Sequence, residues 1–344
     1  RAMEKIMIPP LDSNAAEVIK NNWAKMDKPL HSLGKLEEMV EKYAAMTGTA
    51  LPDKIKSAML LMCGDHGIAK YGVSAYPQEV TMQMINGYMR ETAGANVMAR
   101  HAGADVFVID AGTAFDLSAM PKVHQEKVAW GTEDFTQGPA MTVEQAEKAL
   151  KVGMKVADEC IDKGYNLLVT AEMGIGNTTS TAAIVSAFLG LPPELTVGRG
   201  TGINDERMAI KRKVVADGLA KNQPRLGDAM DILCKVGGYD HAGLAGMILA
   251  GARRRIPTMV DGVNATAAAL LAYGLDPACA DYMLCSHLSA EISHAKMLEV
   301  LRLTPIVDAG MRLGEGTGAS LAIVILQMAI NTYKELYKCG GMHA

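Results

Sequence analysis

The feature that most constrains the fold is an alternation of short apolar runs with longer helical stretches, beginning near residue 55. Such alternation predicts βαβ units and a parallel sheet. The predicted strands are 58–62, 106–109, 167–170, 258–260 and 283–285, with a further short run at 305–307. We therefore expect an α/β fold, an open parallel sheet flanked by helices in a Rossmann-like arrangement.

Polar or acidic residues follow each of the first five runs. These segments are 65–67, 110–112, 172–174, 261–262 and 286–287. In open α/β sheets ligands bind at the carboxyl ends of strands. Five acidic or histidine-bearing segments at one edge predict the rim of a single site.

Both ends of the chain have helical patterns. Apolar residues recur at helical spacing over 4–46, with a break at 28–34 in which Ser32 is a candidate N-cap for a second helix. Residues 290–344 are again mostly helical. We expect a small helical lobe formed by 1–50 and 291–344, and a catalytic α/β domain spanning 51–290.

Composition excludes several classes of protein. The net charge is -4 and the chain has no basic block, which argues against a nucleic-acid partner. The apolar runs carry polar interruptions, so no membrane span is expected. The six cysteines show neither CxxC nor zinc spacing and are expected to be reduced thiols, and no leader pattern opens the chain. These features predict a cytoplasmic protein without a metal site.

An acidic side chain stands among glycines in segment 311–320, Met-Arg-Leu-Gly-Glu-Gly-Thr-Gly-Ala-Ser. The almost unbroken apolar run 321–330 predicts a buried helix behind it. Glycines let a ligand approach the backbone, and a helix N-terminus favours an anion. A tight loop whose Glu315 complements the helix dipole explains the segment equally well.

Two further glycine loops are candidates for binding phosphate. Segment 172–179 reads Glu-Met-Gly-Ile-Gly-Asn-Thr-Thr between a strand and a helix, which is typical of an anion cradle. It has neither a Walker lysine nor the third glycine of a dinucleotide fingerprint. Segment 198–202, Gly-Arg-Gly-Thr-Gly, precedes a helix carrying Lys211, although a turn before a solvated basic face is the alternative.

Two other segments allow structural explanations. The small residues of 237–246 predict a helix that packs very closely on its neighbours. Segment 286–291 contains Ser, His and Glu, but a hydrolase is disfavoured because the chain has no Gly-x-Ser-x-Gly elbow. A capping box at 288–291 explains Glu291 more simply. Two glutamates on glycine loops beside anion cradles favour group transfer from a phosphorylated substrate, with a carboxylate handling a proton.

The chain resembles the nicotinate-nucleotide:dimethylbenzimidazole phosphoribosyltransferase family over nearly its whole length, with the motifs in family order. The matching segments are 63–67, 73–81, 172–179, 198–202, 235–238, 242–246, 261–262, 286–291 and 312–319. The resemblance implies transfer of 5-phosphoribosyl from nicotinate mononucleotide to a lower-ligand base such as 5,6-dimethylbenzimidazole, with inversion, for cobamide assembly. It implies no cofactor, and a dimer of like or unlike chains whose partner helps to close the site.

The resemblance also implies roles for individual residues. Glu315 would be the base that removes the acceptor proton, and Glu172 a second acid near the ribose. The residues implied for phosphoribosyl binding are Gly174, Gly176, Asn177, Gly202, Lys211, Asp261 and Ser289. The residues implied for the acceptor pocket are Tyr76, Gln83, Met84, Tyr88 and Leu313.

Departures from the family pattern leave the acceptor open. Segment 28–34 reads Lys-Pro-Leu-His-Ser-Leu-Gly, where the family often has Lys-Pro-Pro-Gly-Ser-Leu-Gly. Tyr76 is bulkier and Met84 more apolar than their counterparts in some members, so other benzimidazoles, purines and phenolic bases are alternatives. A non-catalytic subunit, and an oxidoreductase using 314–318 as a cofactor loop, are the competing functions; the acidic residue inside that loop counts against the second.

Overall fold

The structure, a computed structural model, describes residues 5–339. Within this range six strands form one sheet in the order β3-β2-β1-β4-β5-β6, and all pairings are parallel. The strands are β1 (Ser57–Gly64), β2 (Asp105–Gly112), β3 (Val123–Gln125), β4 (Leu167–Met173), β5 (Thr258–Val260) and β6 (Met283–Cys285). The α/β fold with an open parallel sheet is confirmed.

Twelve α-helices connect and cover the strands within residues 5–339. They are α1 (Ser13–Lys25), α2 (Lys35–Thr47), α3 (Val80–Met89), α4 (Gly94–Ala102), α5 (Val143–Asp162), α6 (Asn177–Leu189), α7 (Asp205–Asn222), α8 (Ala229–Val236), α9 (Tyr239–Arg253), α10 (Val263–Leu275), α11 (His294–Leu301) and α12 (Thr317–Lys338). Across the described chain, no helix combines the length and apolarity that crossing a membrane requires.

The strand predictions succeed where apolar runs are continuous. β5 and β6 have the predicted bounds, and β1, β2 and β4 extend beyond theirs. The short edge strand β3 was missed because its three residues contain no apolar run. The run at 305–307 forms only an isolated bridge, between Val307 and His287.

Helices cover both faces of the sheet. Alternate residues of a strand point to opposite faces, so Met59 and Met62 of β1 do so. A Cβ added at Gly243 of α9 would lie 2.8 Å from the Met62 sulfur, and one at Gly316, just before α12, would lie 2.7 Å from the Met59 sulfur. Helix α9 therefore lies on one face and the start of α12 on the other.

The close packing predicted for 237–246 is present. A Cβ at Gly246 of α9 would lie 2.0 Å from the carbonyl oxygen of Leu150 in α5, and one at Gly153 of α5 would lie 1.8 Å from that of Gly243. The two backbones meet at a distance that a side chain would prevent.

The terminal helices contact one another. Asn22 of α1 donates to the Tyr333 hydroxyl of α12 at 2.8 Å, and the Trp23 ring packs edge-on against Tyr333. Ser32 is not an N-cap, because α2 starts at Lys35 after Gly34, whose φ is +54°. The division into 1–50, 51–290 and 291–344 stays a prediction, and residues 1–4 and 340–344 lie outside the described range.

The helix predicted to be buried over 321–330 is only partly so. Val324 is 42% and Met328 60% exposed, whereas Ile323 and Leu326 are buried. The helical period places residues four apart on one side, so one face of α12 packs inward while the other remains exposed.

Candidate active site

A cavity of about 640 Å³ lies at the carboxyl edge of the sheet. The chain runs from β1 to β2 and β3 on one side and then returns to β4 on the other, so the strand order reverses between β1 and β4. Ligands of open α/β proteins bind at such a reversal. The lining residues come from segments 74–84, 172–178, 200–201, 262–264, 287–291 and 312–315.

Glu172, at the end of β4, is a buried carboxylate surrounded by donors. Its Oε1 accepts from the side-chain amides of Asn177 (3.2 Å) and Asn264 (3.0 Å). Its Oε2 accepts from the backbone N–H of Glu315 at 3.1 Å. Burial and the nearby Asp261 carboxylate raise the pKa of Glu172 to about 8, although the donors oppose the rise. Its ionisation therefore responds to small changes around it.

Glu315 lies on a turn that lines the cavity. It has φ +58° between Gly314 and Gly316, whose φ values are +79° and +77°. Left-handed backbone at a non-glycine residue is uncommon and concentrates at functional sites. The Tyr88 hydroxyl donates to Glu315 Oε1. Burial raises the pKa of Glu315 above its ordinary value, and the hydrogen bond from Tyr88 opposes that rise.

Asp261 fixes the backbone of this turn. Its carboxylate accepts from the N–H groups of Gly316 and Ala319, each at 3.0 Å, and it is fully buried. It therefore occupies the anion position at the start of α12. Asp261 does not line the cavity, and its contacts support the turn that carries Glu315. The N–H groups of Gly316 and Ala319 are thus already engaged, which counts against a cofactor pyrophosphate at 314–318.

We expect Gly316→Ala to displace the Glu315 turn and lower turnover. The added Cβ would lie 2.7 Å from the Met59 sulfur and 3.0 Å from the Ala171 Cβ, in a left-handed backbone. Clash and strain together should reduce the free energy of unfolding by about 1–3 kcal/mol. Gly310→Ala is the matched control, since Gly310 has φ +65° with nothing within 4 Å of an added Cβ. Equal turnover and denaturation midpoints for the two variants would contradict the steric argument.

We expect Tyr88→Phe to move the acid limb of the pH profile, where activity rises with pH, to higher pH. The hydroxyl stabilises the ionised form of Glu315, so its removal should raise the pKa of Glu315 further. A base must be ionised to act, so activity should appear only at higher pH, by about one unit. Because Glu172 also titrates in this range, the comparison is made in a Glu172→Gln background, and an unmoved limb in kcat/KM from pH 5 to 9 there would contradict this assignment.

The start of α6, predicted to be an anion cradle, lies at the cavity. Gly174, Gly176, Asn177 and Thr178 all line the cavity. A Cβ at Gly174 would lie 1.8 Å from the carbonyl oxygen of Gly64, so only glycine fits there. Gly176 has φ +92° and precedes the first helical residue. The N-terminus of α6 thus presents backbone N–H groups and positive potential to the cavity.

Lys211 stands directly behind this cradle and is almost completely buried. Its Nζ donates to Thr178 Oγ1 at 2.9 Å and to the Gly198 carbonyl at 2.8 Å. Burial lowers the pKa of Lys211 to about 8, and the nearby Glu291 carboxylate opposes that shift. The two loops predicted to bind phosphate therefore meet at one ammonium group, and the solvated basic face is ruled out at this position.

Three predicted acceptor-pocket residues line the cavity and two do not. Tyr76, Met84 and Leu313 line it. Gln83 lies outside the lining and is exposed, because successive helical residues of α3 point in different directions. Tyr88 is buried behind Glu315 and lines a separate cavity of about 310 Å³.

Among the predicted phosphoribosyl residues, Ser289 lines the cavity while Gly202 does not. Gly202 is exposed, and its φ of +94° serves the turn before α7. Ser289 Oγ accepts from the Glu291 N–H at 3.2 Å. The capping box at Glu291 is wrong, because α11 starts at His294 with Ser293 at its N-cap.

Sequence reasoning missed two polar residues of the cavity. Asn264 binds Glu172, and Arg312 donates to the Gly200 carbonyl at 3.1 Å while lining the cavity. Asn264 lies three residues beyond Asp261, so the rule that sites follow strand ends could have found it. Arg312 lies within a segment that matches the family, and only the fold brings it to Gly200.

A second buried polar cluster adjoins the cavity. Ligand atoms of His66, Asp240 and His241 lie within 4.8 Å of one another, close enough for a metal ion. Hydrogen bonds already engage them: His66 Nε2 is 3.1 Å from Asp240, and His241 Nε2 is 2.8 Å from Thr181 Oγ1. The Asp65-His66 pair was predicted at a strand end, whereas its partners on α9 were not.

Comparison with known proteins identifies the chain. A family model described as Phosphoribosyltransferase matches residues 8–340. A nicotinate-nucleotide–dimethylbenzimidazole phosphoribosyltransferase of Chloroflexus aggregans is 46% identical over 329 residues, covering 96% of this chain and 93% of that protein. One of Geobacter sulfurreducens is 46% identical over 338 residues, covering 97% and 95%. The crystal structure of CobT from Thermus thermophilus has a TM-score of 0.90 at 40% identity, covering 93% and 96%.

The fold and these similarities together show a phosphoribosyltransferase, which is a pentosyltransferase. With these similarities over nearly its full length, the chain belongs to the nicotinate-nucleotide–dimethylbenzimidazole phosphoribosyltransferase family.

Proposed function

We propose that the protein transfers 5-phosphoribosyl from nicotinate mononucleotide to 5,6-dimethylbenzimidazole or a similar lower-ligand base, for cobamide assembly. The products are the α-ribotide and nicotinate. The observation that carries the proposal is the placement of Glu315, a buried carboxylate on a strained turn, in a cavity that also holds the α6 cradle. The names of the similar proteins support the substrate assignment.

The donor binds with its phosphate at the start of α6. Gly176, Asn177 and Thr178 supply the helix terminus, Lys211 supplies positive charge behind Thr178, and Arg312 lies at the Gly200 loop. An anion at a helix N-terminus near a buried cation is favoured electrostatically. The ribose then extends toward Glu172 in the same cavity.

The reaction needs one base and no acid. The C1′–N bond of nicotinate mononucleotide breaks with its electron pair passing to the pyridinium nitrogen, so nicotinate leaves with a neutral ring. A nitrogen lone pair of the azole forms the new C1′–N bond on the opposite face, inverting the centre. Glu315 accepts the N–H proton from the other azole nitrogen, and ionised Glu172 stabilises positive charge at C1′. A positioned base contributes roughly 10²–10⁴-fold.

The acceptor lies against the apolar wall of the cavity. Val80 and Met84 of α3, with Tyr76 and Leu313, form this wall near Glu315. Flat apolar surfaces suit an aromatic base, and they desolvate the carboxylate that receives its proton. Glu315 could equally deprotonate a purine or a phenol, so the pocket shape decides the order of acceptors.

The test uses the purified chain. It is incubated with nicotinate mononucleotide and, separately, 5,6-dimethylbenzimidazole, adenine or p-cresol, and nicotinate and the new ribotide are followed by chromatography. Turnover with the benzimidazole is expected to be fastest. Turnover with p-cresol alone would replace the acceptor while keeping the mechanism, and no nicotinate release with any base would overturn the proposal for the chain alone. The alternative of a non-catalytic subunit is not favoured, because both carboxylates and Lys211 are in place.

We also propose that the chain forms a dimer and acts in the cytoplasm. The exposed Val324 and Met328 of α12 offer an apolar surface for a second copy. The free state of all six cysteines suits a reducing compartment. Sedimentation of the parent chain and of the Met328→Glu variant tests the dimer. We expect the introduced carboxylate to dissociate the dimer into monomers.

A further inference from the structure

We propose that Thr181 is a positioning residue for Glu172, acting through Asn264 within a buried hydrogen-bonded chain that starts at His241. This inference rests on the proposed function in that its readout is phosphoribosyl transfer. It assigns a role to side chains of α6, α9 and α10 that do not themselves line the cavity, apart from Asn264.

The contacts form a continuous path. His241 Nε2 is 2.8 Å from Thr181 Oγ1, and Thr181 Oγ1 is 2.8 Å from Asn264 Oδ1. Asn264 Nδ2 donates to Glu172 Oε1 at 3.0 Å and to Asn177 Oδ1 at 3.2 Å. All five residues are buried. Water is therefore a poor substitute for any member of the path.

The hydrogen bonds of this path are all donated in the same direction, from His241 toward Glu172. A threonine hydroxyl carries one hydrogen, and Thr181 gives it to Asn264 Oδ1, which can only accept. His241 Nε2 must then donate its N–H to Thr181. Asn264 is left with its Nδ2 group facing Glu172, and every donor in the path is directed toward that carboxylate.

Asp240 lies at the His241 end of this hydrogen-bonded path. It lies 3.1 Å from His66 Nε2 and 3.3 Å from His241 Nδ1, although Nδ1 makes no hydrogen bond within residues 5–339. Burial alone would raise the pKa of Asp240, but the two histidines lower it well below its usual range. An ionised Asp240 also accepts from the His241 backbone N–H at 3.0 Å, which fixes the start of α9 and thereby the imidazole.

Thr181 controls the orientation of the Asn264 side-chain amide. Without the hydroxyl, the amide could rotate and turn its oxygen toward Glu172, replacing an attraction with a repulsion. The titratable groups facing Glu172 are Asp261 after β5, Glu315 before α12, Tyr88 of α3 and the Cys63 thiol of β1. None of these groups is altered in a Thr181 variant. A change in the titration of Glu172 would therefore report a change in the orientation of the Asn264 amide.

The experiment compares kcat/KM for nicotinate mononucleotide from pH 5.5 to 9.5 in Thr181→Val, Thr181→Ser and the parent enzyme. The isosteric valine should move the acid limb upward by about one pH unit, lowering kcat/KM about tenfold at pH 6.5 and less than about threefold at pH 9.5. Serine keeps the hydroxyl and should restore the parent profile. Thr258→Val is the matched control, since Thr258 is equally buried at the amino end of β5 and its hydroxyl has no hydrogen-bond partner within residues 5–339.

A double-mutant cycle with Glu172→Gln separates positioning from general damage. If Thr181 acts through Glu172, Thr181→Val should change kcat/KM less than about twofold once Glu172 cannot ionise. An equal loss at every pH, or a full additional loss in the Glu172→Gln background, would overturn the inference. Thr181→Ala carries the test if the valine variant does not fold. Transfer by the parent enzyme tests the proposed function, and the displacement between profiles tests this inference.

Discussion

Replacement of Glu315 by glutamine is expected to lower kcat about 10²–10⁴-fold, the range that a positioned general base contributes. Glutamine has the same shape, and its backbone N–H can still donate to Glu172. Its amide cannot take up the proton that the incoming base must lose. The KM for nicotinate mononucleotide should change little, because the proposed donor contacts lie at α6 and the Gly200 loop. Steady-state kinetics at saturating acceptor measure both constants.

Glu335→Gln is the matched control for this prediction. Glu335 lies on α12, the helix that follows the Glu315 turn, and is exposed. The same change there should leave kcat within about twofold of the parent, since exposed substitutions usually have small effects. A Glu315→Gln enzyme that retained full turnover would remove the carboxylate from the mechanism and revive the hypothesis of a non-catalytic subunit.

Replacement of Lys211 by methionine is expected to lower kcat/KM about 10²-fold, mainly through KM for nicotinate mononucleotide. Removing one partner of a desolvated charge pair costs about 2–5 kcal/mol, and each 1.4 kcal/mol is tenfold. Methionine fills a similar volume, so the burial of this side chain on α7 is kept. Calorimetric binding of nicotinate mononucleotide measures the effect directly.

The pH dependence of donor binding adds a second readout for Lys211. Its pKa is lowered to about 8, so the charge that attracts phosphate is present below pH 8 and lost as pH rises above it. KM should therefore increase above pH 8 in the parent enzyme and lose this dependence in Lys211→Met. Lys213→Met is the control, because Lys213 lies on the same helix but pairs with Asp217 in solvent. Equal losses of donor affinity in Lys211→Met and Lys213→Met would contradict the proposal that Lys211 helps to bind the phosphate.

Much of the site followed from local sequence because parallel strands end at a common edge. Glu172, Asp261 and His287 directly follow or end apolar runs, and a parallel sheet brings such positions together whatever the lengths of the helices between them. The glycine turn at Gly174 and Gly176 was predictable for a similar local reason, since glycines between a strand and a helix let the backbone turn closely.

The positions that local sequence could not decide depend on packing between distant segments. Gln83 and Met84 are neighbours in sequence, and only the rotation of α3 about its axis decides which one faces the cavity. Asp261 was placed at the phosphoribosyl group, but the fold directs it at the start of α12. Tyr88 was placed in the acceptor pocket, but it instead supports Glu315 from behind.

The sequence by itself determined the α/β class, the edge of the sheet that carries the site, and the two acidic loops, because these depend on residue periodicity and backbone freedom within a few positions. Tertiary structure alone decided that Lys211 stands behind Thr178, that Asp261 holds the Glu315 turn, and that Thr181 connects His241 to Asn264. Those contacts join residues far apart in the chain, and their distances are set by how closely helices such as α5 and α9 approach each other and the sheet.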